Sequence, residues 1–186
     1  MNIIDNAISK TDFTVIQDLM LGASFPWYFN GSVLGADNEQ TVFDDFNDFQ
    51  LTHSFYYDNG DYGYIGSEYF DILKPIIEKL ESRCLIRIKA NLRTVAPEKD
   101  MITGWHTDCA GVYNMTTAIF YVNSNNGYTL FKASKKKVES VENRLLIFPT
   151  NLEHCGAGCT DNKQRIVINF NYSKSIGKEK YKWVFF

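Results

Sequence analysis

Cys84-Leu85-Ile86-Arg87-Ile88-Lys89-Ala90-Asn91-Leu92-Arg93 is the stretch from which the fold of this chain can be read. Ile86, Ile88, Ala90 and Leu92 alternate with Arg87, Lys89, Asn91 and Arg93. Successive side chains of a strand point to opposite faces, so the run is a strand with one apolar and one polar face. Arg165-Ile166-Val167-Ile168-Asn169-Phe170 repeats the pattern, with Ile166, Ile168 and Phe170 set against Arg165, Val167 and Asn169. Between these two runs lie further strand-like segments: Trp105 to Cys109, Met115 to Asn123, Tyr128 to Ala133, Val138 to Val141 and Arg144 to Phe148. Short loops such as Asn123-Ser124-Asn125-Asn126-Gly127 and Val141-Glu142-Asn143 join them.

Working outward toward the amino terminus, the period becomes helical. Thr11 to Leu21 is predicted to form a helix that ends at Gly22, with Asp12 near the positive end of its dipole. Phe25-Pro26-Trp27-Tyr28-Phe29 reads as extended because Pro26 opposes helix, and Leu51 to Tyr57 reads as a strand. Ser67 starts a second helix whose apolar positions Phe70, Leu73, Ile76, Ile77 and Leu80 bury one face, with a kink expected at Pro75. Helices first and regularly spaced strands afterwards predict a mainly β fold with N-terminal α, a jelly-roll core buttressed by helices.

Composition fits a single domain over residues 1–186. A length of 186 residues suits one core, and 45% hydrophobic residues can fill it. The net charge of -3 supplies no global field for nucleic acid. Lys135-Lys136-Lys137 and the basic run from Lys174 to Lys182 read as solvated faces or protected strand edges. No stretch approaches membrane-spanning length, and the amino terminus lacks a secretory pattern. Four cysteines without a disulfide-scaffold composition read as reduced thiols, so the expected location is cytoplasmic, a host cytoplasm if the gene is viral. The apolar end Lys182-Trp183-Val184-Phe185-Phe186 is expected to dock against the core or a partner.

Trp105-His106-Thr107-Asp108 carries the chemistry. On a strand, His106 and Asp108 would face one centre together, and two histidines with one carboxylate can bind iron while leaving coordination positions open. The remaining histidines are His53 and His154. His154 is the better third ligand, because Gly156-Ala157-Gly158-Cys159-Thr160-Asp161-Asn162 reads as a turn leading into the strand of Arg165. Histidine and arginine would then lie on neighbouring antiparallel strands. His53 reads as an ordinary strand histidine. Zinc is the competing metal, and Cys109, Cys155 and Cys159 lie close in sequence to the triad, but C-x-C and C-x-x-C pairs are absent.

An H-x-D motif, a distal histidine and an arginine eleven residues on resemble the Fe(II)/2-oxoglutarate dioxygenase superfamily, and residues 84–172 resemble the double-stranded β-helix (cupin-like) core of its prolyl 4-hydroxylase-like branch, including phage-encoded members. The resemblance implies that residues 1–83 support the core and 173–186 form a docking tail. It implies Fe(II) as the metal cofactor, 2-oxoglutarate and O2 as cosubstrates, and room for ascorbate as an auxiliary reductant. It also implies that Arg165 forks onto the far carboxylate of 2-oxoglutarate, a bidentate task suited to guanidinium. Relatives often have R-x-S here, whereas this chain has Arg165-Ile166-Val167, so a second contact must come from elsewhere. The tyrosine of Ile119-Phe120-Tyr121-Val122-Asn123 matches the family's local pattern for that contact, which makes Tyr121 the candidate.

In such a fold the apolar strand faces would pack beneath the helices and the polar faces would turn into the barrel. That reading gathers Asn91, Arg165 and Asn169 in one cavity; for Arg87 and Arg93, near strand ends, a solvent-facing position stays open beside it. The implied reaction is hydroxylation of a substrate C–H bond with release of succinate and CO2. Peptidyl proline is the first substrate expected and a small molecule the next. A nucleobase-oxidising or demethylating enzyme would need a basic groove with stacking aromatics, and a non-catalytic metal-binding barrel is the remaining alternative. Trp27, Tyr28, Tyr56, Tyr57, Tyr62 and Tyr64 either line a substrate cleft or cover the second face of the sheet, and Phe43 to Phe49 reads as a mobile loop.

Overall fold

The computed structural model describes residues 1–31, 49–58, 64–108 and 115–174, with backbone alone for 64 and 65. Cys109, Tyr62, the Tyr64 side chain, residues 43–48 and the tail from Lys182 to Phe186 lie outside the described residues. Among those described, no helix is long and apolar enough to cross a membrane.

The chain begins with a strand not foreseen from the sequence, β1 (Asn2–Ile4), followed by helix α1 (Lys10–Leu21). Ser9 caps α1: its hydroxyl accepts the Asp12 N–H at 3.2 Å and lies 2.6 Å from the Asp12 carboxylate. Phe13, Ile16 and Met20 bury one face of the helix. Three strands follow: β2 (Tyr28–Asn30), β3 (Gln50–Asp58) and β4 (Tyr64–Gly66). The second helix is shorter than its apolar spacing suggested. A 3-10 turn over Phe70–Leu73 precedes helix α2 (Lys74–Leu80), and Pro75 sits in the first turn of α2. A missing N–H costs nothing there, so Pro75 starts the helix where a kink had been expected.

The remaining strands are β5 (Cys84–Thr94), β6 (Thr116–Tyr121), β7 (Asn125–Phe131), β8 (Lys137–Ser140), β9 (Arg144–Pro149), β10 (His154–Gly156) and β11 (Gln164–Ser173). They form two sheets. The larger runs β1-β9-β6-β11-β5-β3-β2, with β4 on β3, and the smaller runs β10-β7-β8. Every pairing is antiparallel. This is a mainly β, cupin-like double-stranded arrangement with helices at the amino end. β7 begins inside the segment read as a loop, because Asn125 already pairs with Ser140 of β8, ahead of an irregularity that ends at Tyr128.

The alternation noted at Cys84 has a tertiary meaning. Ile88, Ala90 and Leu92 of β5, Ile166, Ile168 and Phe170 of β11, and Ala118 and Phe120 of β6 pack in one buried cluster with Phe13, Ile16 and Met20 of α1 and Ile76 and Leu80 of α2. The large sheet therefore turns its apolar face to the helices. A second cluster, Ile119, Tyr121, Leu146, Phe148 and Val167 against Phe131 and Val138, glues part of the opposite face to the small sheet. The polar residues between those apolar contacts line a cavity of about 320 Å³.

Candidate functional site

Register places the inward side chains in rows. Thr117, Asn171 and Arg87 lie opposite one another on β6, β11 and β5; Ile119, Asn169 and Lys89 form the next row, then Tyr121, Val167 and Asn91, and finally Arg165 opposite Arg93.

At the first row the structure brings together His106, Asp108 and His154, whose ligand atoms all lie within 4.8 Å of one another. The backbone route differs from the one expected. Trp105 to Asp108 is no strand: His106 forms an isolated bridge to His154, donating to its carbonyl at 3.0 Å and accepting from its N–H at 2.9 Å, and Asp108 sits in a bend. The reason is that one pair of hydrogen bonds anchors His106, while Asp108 is drawn inward by side-chain partners. His154 and Arg165 are not on neighbouring strands either. β10 belongs to the small sheet and β11 to the large one, so the two residues approach across the cavity.

Both imidazoles are oriented by main-chain carbonyls. His154 Nδ1 lies 2.9 Å from the Leu152 oxygen and His106 Nδ1 lies 3.2 Å from that of Gly104. A carbonyl only accepts, so Nδ1 carries the proton and Nε2 is left as the ligand atom on each ring. Phe131 and Phe148 pack around the His154 ring. Burial and the neighbouring His106 push the His154 pKa below its ordinary value, against the opposing pull of Asp108 and the Leu152 carbonyl. Near neutral pH His154 is thus the neutral imidazole that a metal requires.

Asp108 is held by a network absent from the sequence reading. Arg87 Nη2 donates to Oδ1 at 3.2 Å and the Thr117 hydroxyl donates to Oδ2 at 2.9 Å. Asn171 Nδ2 donates to Thr117 Oγ1 at 3.1 Å, and Arg87 Nε donates to Asn171 Oδ1 at 3.0 Å. Burial opposes ionisation of Asp108, but His154, Arg87 and His106, together with the Thr117 hydrogen bond, outweigh it and hold the carboxyl below its usual range. With His154 neutral, Arg87 is the positive charge that persists beside the carboxylate. Arg87 is therefore no solvent-facing strand-end residue: it lines the cavity, as does Arg93. Pairing across to Asn171 turned it inward, and the signal available in sequence was its place in the same alternating row as Asn91.

Arg165 occupies the covered end and is buried. Its Nε donates to Ser140 Oγ at 2.9 Å and its Nη2 to Thr129 Oγ1 at 3.4 Å, while among the described residues it has no carboxylate partner. Tyr121 lies behind it, with the guanidinium carbon 5.8 Å from the ring centre. The Tyr121 hydroxyl is 2.8 Å from Thr129 Oγ1 and fully buried, and Tyr121 is not among the residues lining the cavity. Thr129, unremarked in sequence, is the hydroxyl that does reach the cavity wall beside Arg165. Gly127 makes room for the arginine: a Cβ there would stand 2.7 Å from Arg165 Cδ and 2.9 Å from the Ala157 oxygen. A glycine inside a strand marks such close approaches.

Asn91 and Asn169 line the same cavity as Arg165, and Asn169 Oδ1 is buried without a hydrogen-bond partner. His53 is structural: its ring nitrogens meet the Pro26 carbonyl and the Ser67 hydroxyl, each at 2.8 Å. Cys155 lines the cavity wall, but neither it nor Cys159 belongs to the metal-binding group found among the described residues. Trp27 packs edge-on against Phe25 and Tyr56 against Phe70, whereas Tyr28 is exposed.

No family model and no curated protein matches this sequence. Solved structures match along nearly its whole length. An oxidoreductase of the 2OG-Fe(II) oxygenase family from Burkholderia pseudomallei superposes with a TM-score of 0.65 at 12% identity, over 93% of this chain and 84% of that one. A prolyl hydroxylase from Trichoplax adhaerens, in complex with a hypoxia inducible factor peptide fragment, gives 0.61 at 12%, over 93% and 83%. The epimerase SnoN, in complex with Fe3+, alpha ketoglutarate and nogalamycin RO, gives 0.56 at 13%, over 92% and 77%. At such identities the likeness is one of fold, and that fold is the one used by 2OG-Fe(II) oxygenases.

Proposed function

We propose that this chain is an Fe(II)- and 2-oxoglutarate-dependent dioxygenase that hydroxylates a substrate C–H bond. The observation that carries the reading is that His106, Asp108, His154 and the buried Arg165 open onto one cavity. Two imidazole nitrogens and one carboxylate suit ferrous iron and leave coordination positions open. His106 and His154 Nε2 and Asp108 would hold it, with Arg87 and Thr117 keeping the carboxylate ionised and aimed.

Arg165 would grip the far carboxylate of 2-oxoglutarate, with Thr129 as the adjoining hydroxyl and Tyr121 supporting Thr129 from behind. That arrangement supplies a second contact where R-x-S is missing. Asn91 and the Nδ2 amide of Asn169 would donate to the cosubstrate or its waters, which leaves the Asn169 oxygen unused. When bound, Fe(II) and 2-oxoglutarate would supply oxygen activation, the two atoms of O2 ending in succinate and in the hydroxylated substrate as CO2 is lost. The chain's own residues orient these groups and keep the covered end of the cavity dry.

Peptidyl proline is the substrate we favour, by analogy with the fold alone. Titrating the anaerobic Fe(II) protein with 2-oxoglutarate tests the core of the reading: a saturable visible charge-transfer band is expected, and it should weaken in Arg165→Ala. Bound iron that gives no band would overturn it. Peptide arrays screened for succinate release test the proline assignment, which falls if peptides lacking proline are turned over equally well.

A further inference from the structure

The inner face of the large sheet has a half that, among the described residues, the small sheet does not cover. Ile119, Tyr121, Leu146, Phe148 and Val167 are covered by the small sheet, and no side chain of β5 joins that cluster. Along β5 the inward residues Arg87, Lys89, Asn91 and Arg93 are only half-buried and line the cavity. Among the described residues lining it there are three arginines, Arg87, Arg93 and Arg165, and one lysine, Lys89, against one carboxylate, Asp108. A divalent iron and a dianionic cosubstrate would leave that excess unchanged. Arg87 is committed to Asp108 and Asn171, and Arg165 stands apart at the covered end.

Lys89 makes no ion pair among the described residues. Directly opposite it in register is Asn169, whose buried Oδ1 has no donor. Side by side, in the row next to the metal ligands' supports, stand an ammonium without an anion and an amide oxygen without an N–H or O–H. Building on the reading above, we propose that Lys89 and Asn169 select the primary substrate, and that this substrate presents a carboxylate with a neighbouring hydrogen-bond donor. A single ammonium flanked by amides suits a carboxylate better than a phosphate, which usually draws several cations or backbone N–H groups. Burial first, then Arg87, pushes the Lys89 ammonium down to about 8 despite the pull of Asp108, the condition of a lysine short of negative charge.

The test uses matched acid and amide probes on the anaerobic protein loaded with Fe(II) and 2-oxoglutarate, their dissociation constants read by ligand-observed NMR. One pair is L-proline and L-prolinamide; the other is a terminally blocked Asp-Pro-Gly peptide and its Asn-Pro-Gly counterpart. At least one acid should bind about tenfold or more tightly than its amide, as expected for a hydrogen bond to a charged group. Which pair does so tells a free acid from an acidic peptide. In Lys89→Gln the preference should vanish while the dissociation constant of 2-oxoglutarate holds, and Lys89→Glu should favour the amide. Equal binding of acid and amide, failure of both pairs to bind, or a Lys89→Gln variant that loses 2-oxoglutarate and not the acid would each overturn the proposal. Absence of the charge-transfer band in wild type would strike the iron reading itself. Repeating the panel on metal-free protein keeps the two failures apart, because the acid preference belongs to β5 and not to the metal.

Discussion

The two halves of the cavity are built on opposite terms. Under the small sheet, Arg165, Tyr121, Thr129 and Ser140 are buried and hydrogen-bonded to one another, and Gly127 is stripped of a side chain to let the arginine lie flat. Along β5 the polar side chains are half-exposed, and among the described residues Lys89 makes no ion pair and the Asn169 oxygen accepts no hydrogen bond. Order costs conformational entropy, which is recovered only where the ligand is always the same. The difference teaches that the covered half suits an invariant cosubstrate, and the open half the molecule that distinguishes this chain from others of its fold.

If that division is right, damage should grade with depth. Asp108→Ala should show the largest effect, loss of stable Fe(II) binding and of 2-oxoglutarate consumption, measured by iron retention after desalting and by succinate release. Arg165→Ala removes one partner of a buried charge pair and should weaken 2-oxoglutarate on the order of a hundredfold with iron retained. Arg87→Met leaves all three ligands in place and should cost about tenfold in Fe(II) affinity, since it removes an outer support of the carboxylate. Gly127→Ala should raise the 2-oxoglutarate dissociation constant by roughly severalfold through displaced Arg165, without touching Fe(II) affinity. An Arg87→Met effect confined to 2-oxoglutarate, or a Gly127→Ala effect confined to iron, would break the assignment of the two ends.

The smallest effect is expected in pH. Lys89 must be charged to hold an acid, and its pKa is lowered from the ordinary lysine value to about 8. Affinity for a carboxylate probe should therefore be level below that pH and decline as pH rises through it. The decline should be absent in Lys89→Gln, as titration calorimetry across pH 6.5 to 9.5 would reveal at about that resolution. Retention of the slope in the variant would assign it to another group.

How much of this was legible beforehand depends on the distance over which each feature is determined. The alternation of β5 and β11 is local, since it needs only the two-residue period of a strand, and it implied both the sheet and a polar face for the cavity. The histidines, Asp108 and Arg165 stood out by residue type and order. Tyr121 lay on the expected strand, and its hydroxyl turned to Thr129, because a buried phenol needs a hydrogen-bond partner and the small sheet presents one there. The placement of Arg87 stayed open for the same kind of reason: nothing near it in sequence shows that Asn171, 84 residues away, and Asp108 would meet it.

By itself, then, the sequence determined the period of the strands, the helices' apolar faces, and the stock of residues able to bind a metal and an anion. Each of these follows from side chains within a few positions of one another. Only the tertiary structure decided which sheet His154 joined, which hydroxyls met Arg165, which groups steadied Asp108, and which half of the cavity stayed open. Those outcomes depend on strand register and on packing between two sheets, where residues far apart in the chain compete for the same few hydrogen-bonding positions.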